Sequence, residues 1–111
     1  MKGSRFGVLL LLAVVLPDTG TFDIAKGDTE VLYQADGQVR LQICVTNGHQ
    51  PEEGVKLQVT TECVDQNLLI EVGPGETKCQ CCLVKETRAK AVGDAIAGSY
   101  NVTACPPPVG G

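Results

Sequence analysis

Val39-Arg40-Leu41-Gln42-Ile43-Cys44-Val45-Thr46-Asn47-Gly48 alternates without a break. Successive side chains of an extended chain point to opposite faces, so Val39, Leu41, Ile43 and Val45 share one side and Arg40, Gln42, Cys44 and Thr46 the other. Asn47-Gly48 then closes the run with turn chemistry. The following run repeats the pattern, with Val55, Leu57, Val59 and Thr61 facing in and Lys56, Gln58 and Thr60 facing out. Upstream, residues 30–34 make a short first strand. Downstream, Leu68 and Ile70 lead into a Gly73-Pro74-Gly75 turn, residues 77–84 form another strand, and Tyr100, Val102 and Ala104 mark the last. Pro106-Pro107-Pro108 cannot donate to a ladder and ends it. Strands at roughly ten-residue spacing, separated by Gly, Pro and Asn, predict an all-β antiparallel sandwich of six to seven strands.

Residues 86–97 read two ways. Ala89, Val92 and Ile96 stand at helical spacing with Gly98 as a C-cap, which predicts one short helix, and a strand fits equally. Gly93 weakens both.

The chain has 111 residues, enough for one domain and too few for two cores. Nine Lys plus Arg lie scattered among thirteen acidic residues, for a net charge of −4, so no basic face for nucleic acid is expected. Lys2 and Arg5 precede an apolar run over residues 6–16, which Pro17-Asp18-Thr19-Gly20 closes. This is the form of a secretory signal peptide, and the run is short of the roughly 20 apolar residues of a membrane span. No A-x-A follows it. Cleavage is placed near residues 20–25, giving a leader over 1–25, a domain over 26–105 and a Pro/Gly-rich tail over 106–111. An uncleaved anchor, a pilin-type leader cut after Gly7, or a buried N-terminal strand are the competing readings. Leu16-Pro17-Asp18-Thr19-Gly20 resembles a sortase signal, but such a signal precedes a C-terminal apolar tail, whereas here it follows an apolar run. An exported chain without a lasting span is expected in the secreted or cell-envelope fraction.

Export brings the six cysteines, Cys44, Cys63, Cys79, Cys81, Cys82 and Cys105, into an oxidising compartment. Three disulfides are expected, among fifteen connectivities. Strand facing suggests Cys44–Cys82, both outward, and Cys63–Cys79, at the ends of inward-facing runs, leaving Cys81–Cys105. A metal held by Cys79-x-Cys81-Cys82 with Cys63 is disfavoured, because no C-x-x-C pair occurs and His49 is the one histidine. His49 sits in a polar loop and reads as solvated. Glu52-Glu53, Glu62 and Glu71 read as solubilising charge. No G-x-S-x-G or oriented base is present, so no catalytic, cofactor or metal residue is assigned. Asn101-Val102-Thr103 is a glycosylation sequon whose Asn101 alternates outward.

Cys44-Val45-Thr46-Asn47, then residues 54–59, then Val72-Gly73-Pro74-Gly75-Glu76-Thr77 and Gly98-Ser99-Tyr100-Asn101-Val102-Thr103-Ala104 follow one another. This order resembles the immunoglobulin-like sandwich domains of microbial surface and secreted proteins, and is similar to their adhesion-related, CARDB-type members. The likeness covers residues 29–105 and rests on turn chemistry and alternation; the six cysteines and the Ala-rich insert depart from it. It implies a non-catalytic module with a structural, adhesive or binding role, its partner a protein or glycan at the cell surface. Gly98-Ser99-Tyr100 also resembles the penultimate-strand corner of the immunoglobulin fold, where a tyrosine hydroxyl bonds back to the backbone. On that match the chain is one strand short, which implies the alternative role: a filament, pilus or virion-associated subunit that associates with copies of itself and completes its sheet by strand donation.

Overall fold

A computed structural model describes residues 18–106. Its seven strands are β1 (Asp18–Ile24), β2 (Thr29–Gln34), β3 (Arg40–Asn47), β4 (Lys56–Cys63), β5 (Asn67–Val72), β6 (Thr77–Val92) and β7 (Ile96–Ala104). All pair antiparallel. One sheet runs β1-β7-β3-β6, the other runs β2-β6-β4-β5, and the long strand β6 belongs to both. The chain is therefore an all-β sandwich.

Residues 86–97 end one strand, turn at Gly93 and open the next, and the strand they end is β6, which switches between the sheets. Its first half buries Gln80, Cys82 and Val84, while its second half buries Thr87, Ala89 and Ala91. The phase changes at Lys85, where the β4 register steps from Glu62↔Glu86 to Cys63↔Val84. A bulge of one residue bends the strand and turns the inward set from even to odd positions. No helix forms there, in contrast to the expected one: β2 and β4 take up both edges of the second half, satisfying its backbone groups in ladders. Gly93 lies at φ 91° in the turn that follows, where a Cβ would come 2.3 Å from the Gly54 carbonyl oxygen.

The core lies between the sheets. Leu41, Ile43 and Val45 of β3 face Val55, Leu57 and Val59 from the second sheet, all of them at most 5% exposed. Burying each such side chain stabilises the fold by about 1.5 to 3 kcal/mol. Among the described residues the sandwich includes Asp18–Ile24, upstream of residue 26, with Phe22 and Ile24 of β1 4% and 2% exposed. A cut after residue 22 or 23 would remove Phe22 from the core, and one after 24 or 25 would remove both. The leader over residues 1–17 and the tail over 107–111 lie outside the described residues.

Tyr100 stands on the last strand, with β1 on one side of β7 and β3 on the other. The place beside β7 is filled by the chain's own residues 18–24. Residues 73–76 form a type II turn, with Pro74 at its second position, Gly75 at φ 78° and the Glu76 N–H donating to the Gly73 carbonyl at 3.0 Å.

Candidate functional site

The cysteines gather on β3, β4, β6 and the end of β7. Cys44 is joined to Cys79, Cys63 to Cys82 and Cys81 to Cys105, and none of the six is free. The expected Cys44–Cys82 and Cys63–Cys79 pairs do not form. Cys79 and Cys81 point out from β6 and Cys82 points in, because the buried residue between the first two is Gln80. Cys44 lies directly opposite Cys79 in the ladder, with Cα atoms 3.9 Å apart. The inward Cys82 instead meets Cys63, which reaches it from the other sheet and is buried like it. With every thiol consumed, no thiolate set remains for the metal reading.

Gln80 also explains why the strand's phase was misread. It is a polar residue in the core, 8% exposed, accepting a hydrogen bond from Thr61 at 2.8 Å while Thr61 contacts Thr87 at 3.1 Å. Its Nε2 has no partner among the described residues.

A second polar centre lies at one end of the sandwich. Asn47 is fully buried, its Nδ2 donating to the Val72 carbonyl at 2.9 Å and its Oδ1 accepting from the His49 N–H at 2.8 Å. This orients the loop after β3. His49 is not simply solvated: Nδ1 meets the Gln50 carbonyl at 2.7 Å and Nε2 meets Asp94 Oδ2 at 3.0 Å. The Gln50 carbonyl, and then the Asp94 carboxylate, hold the His49 pKa above the ordinary imidazole value. The ring in turn lowers that of Asp94. Glu52 completes a group whose donor atoms lie within 4.8 Å of one another, the one set among the described residues that could hold a cation. Sequence spacing could not reveal it, since Asp94 is 45 residues away from His49. Of the carboxylates read as solubilising charge, Glu71 is paired with Lys56 at 2.8 Å on the outer face of the second sheet.

Asn101 is exposed on the outward side of β7. It borders an open depression lined also by Thr21, Cys44, Thr46, Ser99 and Tyr100.

No family model and no curated protein matches the chain. Among solved structures, it is similar to one reported for Bacillus endospore appendages, described as a novel family of disulfide-linked pili. The two share 11% identity over 85% of this chain and 94% of the other, with a TM-score of 0.57. At that identity the likeness concerns the fold.

Proposed function

We propose that this protein is an extracellular structural subunit, non-catalytic, that associates with copies of itself into a filament. The observation that carries the reading is the near-complete correspondence with an appendage subunit, in which this chain's sandwich covers 94% of the other. The fold suits the role. Three disulfides within 111 residues fit an oxidising, extracellular setting. Among the described residues β1, β2 and β5 each pair on one edge only, and unpaired edges are the usual means by which sheet proteins add neighbours. Strand donation into a gap is not required, because β1 occupies the place beside β7.

The test is negative-stain electron microscopy and native mass spectrometry of the protein from its own host, kept free of reductant. Filaments or ladders of multiples carrying six fewer hydrogens per chain than the reduced mass are expected. A monomer at all concentrations, and above all one that binds a surface glycan or protein, overturns this reading in favour of an adhesive module.

A further inference from the structure

We propose that the outward face of the sheet β1-β7-β3-β6 is the surface on which a second copy of this chain docks; the inference rests on the filament reading and names the contact within it. Strand register arranges this face in rows. Thr21, Ser99, Thr46 and Thr77 stand side by side across all four strands, a row of four hydroxyls, and Thr46 and Thr77 share a hydrogen bond of 2.7 Å. The next row is Thr19, Asn101 and the Cys44–Cys79 disulfide. The third is Thr103, Gln42 and Cys81. None of these residues carries a charge. Among the described strand residues, charged side chains reach this face at its ends, at Asp23, Arg40 and Lys85.

The opposite face is built in another way. Across the second sheet Gln58 stands between Lys90 and Glu71, Thr60 beside Arg88, and Glu62 beside Glu86, with Lys56 bonded to Glu71. The two sheets come from one chain in which a fifth of residues are charged, yet the middle of the second sheet's outer face is charged and the middle of the first sheet's is not. Burying an unpaired charge in a contact costs several kcal/mol, and interface centres are accordingly depleted of charged residues.

The occupant follows from the same chemistry. A nucleic acid or an acidic or basic partner would find no charge to pair with. A glycan would find no aromatic platform, because Phe22 and Tyr100 turn to the inner side. A second copy is favoured because this chain carries a net charge of −4, and here two copies can meet without setting like charges against each other. Strand and residue spacings give the three rows on the order of 350 Å² per copy. That is below the roughly 800 Å² per partner of a stable pair, and a contact of one face with itself closes after two copies, so it is one of at least two contacts in a filament.

The experiment compares full-length wild type with Ser99→Lys and Asn101→Lys, each placing one charge within the rows, and with Gln34→Lys, which adds the same charge on β2 beside Glu86. Sedimentation velocity and electron microscopy read assembly, and the oxidised mass together with circular dichroism reads folding. Both face variants are expected to fold and to weaken association at least about tenfold, with Gln34→Lys like wild type. If Ser99→Lys fails to fold, Asn101→Lys decides. Filaments that persist in the face variants overturn this contact and leave the filament reading intact. Pairs instead of filaments, lost in the face variants, uphold the contact and overturn the filament. A wild type that stays monomeric overturns both.

Discussion

The ring of Tyr100 lies directly across from Gly20, so close that a Cβ at Gly20 would stand 2.5 Å from it. The arrangement is reciprocal, since Phe22 of β1 likewise covers Gly98 of β7 two positions along. Two aromatic rings, one from each strand, lie over the glycines opposite them, and a slip of one residue would set both rings against side chains. Gly20→Val should push the Tyr100 ring aside and destabilise the fold by about 1 to 3 kcal/mol. Amide exchange within residues 18–24 should quicken more than elsewhere. Gly98→Ala should be worse than Gly20→Val, because its Cβ would fall 2.1 Å from the Thr46 carbonyl, a backbone atom that cannot swing away. Equal thermal shifts for the two variants would contradict this account.

Asn47 serves two buried backbone groups at once. Asn47→Ala leaves the Val72 carbonyl and the His49 N–H without partners, at a cost of about 2 to 4 kcal/mol in urea unfolding. Asn47→Asp keeps the acceptor and can donate to the Val72 carbonyl only while its carboxyl is protonated, so it should fall between wild type and Asn47→Ala at low pH and lose stability as the carboxyl ionises.

Partial reduction should discriminate among the disulfides. Cys79 is exposed and Cys81 and Cys105 are half-buried, whereas Cys63 and Cys82 are 5% and 1% exposed. Alkylation and mass mapping should show Cys44–Cys79 and Cys81–Cys105 opening first, with Cys63–Cys82 protected until the sandwich unfolds. The double variant Cys63→Ala/Cys82→Ala should lose about 3 kcal/mol, the chain-entropy value for its separation of 19 residues, plus the loss from a poorly filled site.

The His49–Asp94 pair should give a definite pH window. The His49 pKa is raised in the folded chain, so its contribution is fully present below the unfolded value of about 6.5 and is lost as pH rises through the folded one. The Asp94 pKa is lowered, so its contribution is present above the unfolded value of about 3.9 and is lost as pH falls through the folded one. The loop cross-link is therefore strongest between about pH 4 and 6.5. Proton NMR of the imidazole should place its midpoint above 6.5, and Asp94→Asn should lower it only part of the way, because the Gln50 carbonyl stays in place. A midpoint unmoved by Asp94→Asn would show that the pair does not form in solution.

Alternation made β3, β4 and the last strand legible, because Leu41, Ile43, Leu57, Val59 and Val102 lie on one buried face each. It failed where the physics is not periodic. The helical spacing of Ala89, Val92 and Ile96 arises across a turn, since Ala89 and Val92 end β6 and Ile96 opens β7. Gln80 occupies a core position through its bond with Thr61, so Cys82 reads as outward when it is inward, and the disulfide partners read from facing are exchanged. β1 is not marked by alternation, since Asp18-Thr19-Gly20-Thr21 has no apolar residue, and its Gly20 is explained by Tyr100, 80 positions later. The charge-free face could not be read from any single strand, because its rows exist only once four strands are in register.

The two described ends of the sandwich emerge side by side, with Asp18 opposite Val102 and Cys105 just beyond β7. Tension pulling those ends apart would load the β1–β7 ladder one rung at a time, the geometry of a zip, in which hydrogen bonds fail in succession. The Cys81–Cys105 bond changes the path of that load. It diverts force entering at residue 105 into β6, the strand woven through both sheets, so β7 is spared and only β1 can peel. Under such tension β1 would be the first strand to yield, drawing Phe22 and Ile24 out of the core.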